Sequence, residues 1–415
     1  MDLWGLFWLL MALVCFPFGY KPIVALLSIS AVFQASKMVT LFGVNLPLFF
    51  CMELITIIRL IIPYKNNGFL RLNTKLFILI CVFIFLILMQ TLFATNFFNH
   101  IKVYSPENSF EVNYLIGGEF LKFTSSNFSQ LILIITHIIL MYCFYIRRDF
   151  ISKDFYLKTI FISFFLFALL AIIWFKSREA YFYLSSLILN NDQYALNALY
   201  ENRLSSTFSE PSFAGLFLAS ITMPILLYKS LKALFLFVFV CFFGYLNMSG
   251  TYISGLLVSI GILLFFLSKD NSNKIILFIP FFLLSITVYY YSFDFVESYF
   301  IEKSVGISGI VRSDSNFFAI TNIIDSYFMG LGVGSVRVSS LILNILTSFG
   351  ILLTLALFYL IYRSINYKGQ LSDRISLFML LICFLGAWSA IPDYTLSILW
   401  NFIFLNIVSS KNFVR

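Results

Sequence analysis

The sequence predicts an all-α, polytopic integral membrane protein with about 12–14 transmembrane helices. It reads as a single integral membrane domain over 1–415, with two large polar loops at 176–210 and 292–338. Three observations predict this. The chain has 415 residues, is 61% hydrophobic and 11% charged, and has a mean hydropathy of +0.95. A soluble chain of that composition would have an apolar surface. Apolar stretches near the ~20 residues that cross the hydrocarbon recur along the whole length. Between them, the two long loops collect arginines, carboxylates and glycines.

The N-terminal stretch carries Asp2 where a cleavable signal would be basic and lacks a small-residue cleavage site, so it is expected to be a span. Spans follow at 3–19 and 22–36, with Pro17 and Pro22 bracketing a tight turn between them, then at 45–62, 76–95, 128–146 and 159–175. After the first large loop come 212–228, 232–248, 252–267 and 274–291, and after the second come 339–361, 375–391 and 395–409. Glu53 and His137 are the ionisable side chains near mid-span. Such positions mark ion or proton paths in transporters, although a lone intramembrane His is more often a hydrogen-bonded packing residue.

Most of the 27 Lys and Arg lie in the short loops and the C-terminal tail, for example Arg59, Arg147, Arg148, Lys229, Arg363 and Arg374. Asp and Glu lie mostly on the other face. The positive-inside rule therefore places the short loops in the cytoplasm, with 96–127, 176–210 and 292–338 outside. Topology and anionic lipid account for the net charge of +8, so no nucleic-acid partner is needed. Six cysteines fall within spans and offer neither a disulfide framework nor metal-ligand spacing. Neither an internal repeat nor an inverted symmetry, the usual transporter architecture, is visible.

Candidate chemistry sits in the loops. The first supplies Lys176, Arg178, Glu179, Asp192, Glu201, Arg203 and Glu210. Arg203 and Glu210 are seven apart, so a continuing helix would place both on one face. Pro211 suits the first position of a helix, which gives Glu210 two readings. It is either a cap at a positive helix end or a carboxylate at the mouth of a membrane cavity. The second loop supplies Asp294, Glu297, Glu302, Lys303, Arg312, Asp314, Asp325 and Arg337. Its GLGVGS stretch (330–335) lacks the βαβ context of a dinucleotide fingerprint. The glycines permit a turn or a close approach. Alternatively, exposed N–H groups there could hold phosphate, with the Arg337 fork suited to pyrophosphate oxygens. No DxD pair, Walker loop, GxSxG or HExxH occurs, so a metal-chelated nucleotide-sugar donor and ATP drive are not expected, and no cofactor is expected.

Three segments carry a resemblance: RLSSTFSEPSFAG (203–215), SGTYISGLL (249–257), and GLGVGSVR followed by SSLILNILTSFGILL (330–353). In their order and placement the chain resembles the Wzy-type O-antigen polymerases of the O-antigen ligase and polymerase superfamily. Some members show an arginine and a glycine with ten residues between them in both loops. Here Arg203 and Gly215 have eleven residues between them, and Arg337 and Gly350 have twelve. The second large loop has no histidine, whereas the related ligases use one there.

The resemblance implies a multi-pass protein of the bacterial inner membrane with two large periplasmic loops. It implies a metal-independent glycosyltransferase that joins undecaprenyl-pyrophosphate-linked oligosaccharide repeat units at the periplasmic face, in O-antigen or capsule-type polysaccharide biosynthesis. The expected partners are that lipid-linked oligosaccharide, membrane lipid and a chain-length regulator. In this reading Arg203, Arg312, Arg337 and Arg178 bind substrate, and Glu210 is the catalytic base, with Asp314 and Asp325 as fallbacks. A polysaccharide-lipid flippase or other transporter, or an O-antigen ligase, stands as the alternative.

Overall fold

The computed structural model describes residues 2–41, 44–62, 73–191, 203–228, 230–267, 306–365, 375–388 and 391–410. The expected span at 274–291 lies outside them, as do Asp192, Glu201, Asp294, Glu297, Glu302 and Lys303. The described residues are mostly helical: α1 (Leu3–Cys15), α2 (Tyr20–Ser30), α3 (Leu48–Ile61), α4 (Thr74–Phe97), α5 (Phe110–Ile116), α6 (Ser125–Arg147), α7 (Lys153–Lys176) and α8 (Arg178–Ile188) come first. They are followed by α9 (Pro211–Leu226), α10 (Leu231–Asn247), α11 (Gly250–Leu267), α12 (Ile307–Asp325), α13 (Leu341–Ile365), α14 (Ile375–Ala387) and α15 (Ser397–Ser409). Two small antiparallel ribbons accompany them, β1 (Lys37–Leu41) with β2 (Val44–Pro47), and β3 (Lys102–Val103) with β4 (Glu119–Phe120).

Among the described residues, α4, α6, α7 and α13 are long and apolar enough to cross a membrane. The outer surfaces fit that solvent. Helical Leu352 is 81% exposed and Phe235 79%, which water would penalise and lipid would not. Two helices form the interior instead. Along α9 nearly every residue from Ala214 to Leu226 is buried, between α10, α11 and α14. Along α15 every residue from Ser397 to Val408 is buried, against α6, α7, α13 and α14.

Side-chain caps fix where several helices begin. Asp2 accepts from the Gly5 N–H, Asn73 from Leu76 and Ser152 from Phe155. Thr124 and Asn127 form a capping box at α6. Each such cap contributes about 1 kcal/mol.

Residues 22–47 depart from expectation. A span over 22–36 was expected, but α2 ends at Ser30, residues 31–36 turn, and 37–47 form the β1–β2 ribbon. β-Branched residues and the Thr40–Asn45 side-chain hydrogen bond (2.8 Å) favour the ribbon. Both large loops also contain helices, α8 in the first and α12 in the second.

The bundle has two chemically distinct ends. At one, Arg59 Nε donates to the Phe16 carbonyl (3.0 Å) and Arg147 Nε to the Leu60 carbonyl (3.0 Å). At the other lie the C-terminus of α2 and the N-termini of α6, α9, α13 and α15, together with the polar loops.

Candidate functional site

The GLGVGS stretch organises the polar end. Leu331 and Gly332 donate their N–H groups to the Thr347 and Ser348 carbonyls (2.7 and 3.1 Å), and Val333 donates to Thr91 Oγ1 (3.0 Å). Gly334 donates to Tyr394 Oη (3.1 Å), Ser335 to the Gly332 carbonyl, and Arg337 to the Tyr104 carbonyl (2.8 Å). These amides are committed to protein acceptors, so the expectation that they present a free phosphate cradle is corrected. The glycines serve close approach. The strand of chain crosses α13 where Gly350 breaks the helix at φ +67°, and a Cβ on Gly350 would sit 2.4 Å from the Met329 carbonyl. Asn127 secures the other side, donating Nδ2 to the Val333 carbonyl (2.8 Å) and Ser335 Oγ (2.6 Å).

This crossing delivers Arg337 to a cavity of about 500 Å³, which Arg312 and Glu210 also line. Arg337 is half-buried. Its guanidinium lies 4.5 Å from the Phe110 ring centre, and Nη1 donates to the Asn108 carbonyl (3.1 Å). Burial pushes its pKa below the usual arginine value, while the carboxylates of Glu111 and Glu210 pull the other way.

Arg312, on α12, is registered to the same loop. The Ser339 hydroxyl lies 3.0 Å from the Arg312 carbonyl and 2.9 Å from Asn316 Oδ1. Glu210 occupies the N-cap position of α9, but its side chain caps no helix N–H; it accepts from the Ser212 hydroxyl (3.1 Å) and is exposed. Glu210 thus stands both at the positive end of α9, where a cap was expected, and on the cavity wall, without a side-chain hydrogen bond to a helix N–H.

Arg203 and Arg178 do not line this cavity. Residues 203–210 do not continue α9, so the expected shared face of Arg203 and Glu210 is not formed. That segment is a buried turn, with Ser206 at φ +52° donating its hydroxyl to the Phe167 carbonyl (2.6 Å) and Asn247 Nδ2 donating to the Leu204 carbonyl (2.6 Å). Arg178 opens α8 and stacks on Trp174, 3.3 Å from the ring centre. The fallback carboxylates are also elsewhere. Asp314 accepts from the Tyr104 hydroxyl, and Asp325 is exposed at the end of α12.

Several cavity residues carried no signal in the sequence reading: Gln34, Gln130, Asn344, Asp393 and Tyr394. Asp393 Oδ1 accepts from both the N–H (2.8 Å) and the hydroxyl (2.6 Å) of Thr395. Burial raises its pKa above the ordinary carboxylate value, against those hydrogen bonds. A turn signal, Pro392-Asp393, between two apolar runs was the available hint.

Beneath this loop, the two mid-span ionisable residues meet. His137 Nδ1 and Glu53 Oε1 are 2.6 Å apart and fully buried, His137 Nε2 faces the Thr395 carbonyl (3.3 Å), and Trp400 stacks on the imidazole at 4.7 Å. Among the described residues no cluster of three His, Cys, Asp or Glu side chains could hold a metal ion.

No protein-family model, curated protein or solved structure matches this chain. The site itself therefore carries the functional argument. It brings two guanidinium groups, a type suited to phosphoryl oxygens, to the same cavity as a carboxylate, a type suited to accepting a proton.

Proposed function

We propose that this protein joins undecaprenyl-pyrophosphate-linked oligosaccharide repeat units at the periplasmic face of the bacterial inner membrane, as a metal-independent glycosyltransferase of polysaccharide biosynthesis. The observation that carries the reading is convergence. Arg312 and Arg337 from one polar loop and Glu210 from the other line one cavity, at the end of the bundle opposite Arg59 and Arg147. In this reading that basic end is cytoplasmic and the polar loops are periplasmic, within a bundle of about 12–14 spans.

The chemistry follows from the residues. Glu210 takes the proton of an acceptor sugar hydroxyl, whose oxygen attacks the anomeric carbon of the donor. The carbon–oxygen bond to pyrophosphate breaks, and its electron pair leaves on the phosphate oxygen. Arg312 and Arg337 offset that developing charge, Arg337 from a half-buried position where a cation acts more strongly than in water and Arg312 from an exposed one. Arg203 and Arg178, outside the cavity, hold no pyrophosphate in this mechanism. The lipid-facing apolar helices accommodate the polyprenyl chain, and a chain-length regulator would bind outside the cavity.

The buried Glu53–His137 pair favours a second reading, a proton-coupled transporter of the same lipid-linked substrate. Purified protein incubated with the lipid-linked repeat unit separates the two. A ladder of longer products supports the polymerase, and unextended substrate at full protein recovery overturns it. With a lipid A core added as acceptor, transfer to it alone would identify a ligase.

A further inference from the structure

Gln34 stands in the turn between α2 and β1, with its side chain on the cavity wall and 6% exposed. Neither its Oε1 nor its Nε2 has a hydrogen-bond partner among the described residues. Exchanging the two ends of the amide leaves the same two orphans, so the assignment of O and N does not matter. The turn itself is pinned. The Ala31 carbonyl accepts from Ser397 Oγ (2.8 Å), the Ala35 carbonyl from the Asn191 N–H (3.0 Å), and Ser36 Oγ donates to the Ile188 carbonyl (2.6 Å). Phe33 is wedged against Trp4 and Trp8 at 5.4 and 5.9 Å. The backbone that carries the amide is thus held in place, and burial restricts the side chain, with one donor group and one acceptor group unused among the described residues.

The chemistry of the orphans selects the ligand. A fully ionised phosphoryl group has no proton to give Oε1 and would leave it unsatisfied. A cation would leave Nε2 unsatisfied, and a polyprenyl chain would satisfy neither. A neutral group that both donates and accepts completes the amide: a water does so, and two adjacent hydroxyls of a sugar ring do so in a bidentate pairing that displaces it. Gln130 and Asp393 line the same cavity and are themselves joined through Thr395, whose hydroxyl lies 3.4 Å from Gln130 Oε1. They add acceptors for further hydroxyls. We propose that Gln34 is a sugar-reading residue, the centre of a subsite for adjacent hydroxyls of a neutral sugar ring, separate in role from the cations at Arg312 and Arg337. That the ring belongs to a lipid-linked oligosaccharide rests on the proposed function; that the ligand is a polyhydroxyl compound rests on Gln34.

The test uses the full-length purified protein and two kinds of probe. The first is a panel of methyl hexopyranosides differing at single ring hydroxyls, read by saturation-transfer NMR. The second is a pair of lipids, polyprenyl pyrophosphate with and without its oligosaccharide, read by binding titration. Gln34→Met keeps the length of the side chain and removes both hydrogen-bonding groups. It should weaken the sugar-bearing lipid about 10–100-fold, erase discrimination within the hexoside panel, and leave the sugar-free lipid unchanged. Its thermal midpoint should not fall, because an apolar group replaces an unpaired buried amide. Gln34→Glu, which lacks the donor, should also lose the discrimination.

Unchanged hexoside binding in Gln34→Met, or the absence of hexoside binding by the parent protein, overturns the subsite. Equal weakening of both lipids with a lowered midpoint also overturns it, by making Gln34 a packing residue. If hexosides bind in a Gln34-dependent way and neither lipid binds, the subsite stands and the proposed function fails.

Discussion

Replacing Gly350 by Ala tests how the cavity is held together. Gly350 has φ +67° and ψ 177°, a backbone region that side chains other than hydrogen scarcely populate. Holding alanine there costs about 1–3 kcal/mol. The new methyl would also sit 2.4 Å from the Met329 carbonyl carbon and oxygen and 2.5 Å from the Phe328 carbonyl oxygen. Those atoms are backbone and cannot rotate away, so overpacking adds about 1–3 kcal/mol. The sum is roughly 2–6 kcal/mol. Gly117 supplies the control, with a similar φ of +66° but nothing within 4 Å of its would-be Cβ. Gly117→Ala should therefore cost only the left-handed backbone, about 1–2 kcal/mol.

The assay is the unfolding midpoint of each purified variant in mild detergent titrated with a denaturing one. Gly350→Ala should unfold well before Gly117→Ala. It should also lose polymer, because the Ile351 N–H to Phe328 carbonyl and Leu331 N–H to Thr347 carbonyl bonds place the segment that carries Arg337. Equal midpoints for the two variants would refute the argument that close backbone crossing, rather than local conformation, requires Gly350.

Arg312→Lys and Arg337→Lys keep the charge and lose the fork, so each should slow ladder formation about 10–100-fold at equal protein abundance. Wild-type ladders from both would remove the clamp. Glu210→Gln still accepts a hydrogen bond but takes no proton, and it should reduce polymer to single repeat units, a loss of ~10²–10⁴-fold in rate. Because Glu210 caps no helix N–H, the unfolding midpoint of that variant should stay near the parent's; a large fall would assign the residue to structure. Alkaline phosphatase inserted within 292–338 should be active and a fusion after Arg363 inactive, the reverse pattern inverting the membrane orientation.

The helices were legible because a 61% hydrophobic chain has few other ways to satisfy its backbone in lipid. The β1–β2 ribbon was not, since hydropathy alone cannot tell a short apolar β-branched run from a short span. Glu210 and Arg337 announced themselves as charges beside span boundaries, and Arg312 as a charge within a polar loop. Gln34 and Gln130 are neutral amides in apolar surroundings, and only the fold reveals that one is pinned without partners. Glu53 and His137 were each visible, but 84 residues separate them, and their pairing needs α3 against α6. The fate of the GLGVGS amides depended on acceptors in α4, α13 and Tyr394, which no local pattern encodes.

The Ser339 hydroxyl stands two residues beyond Arg337 and reaches the Arg312 carbonyl and Asn316. That hydroxyl splices the strand just beyond Arg337 to the backbone of α12, so the roots of the two arginines share one footing while the exposed Arg312 side chain keeps its own rotamers. A shift of α12 is thereby passed to the strand that carries Arg337 through a single side chain.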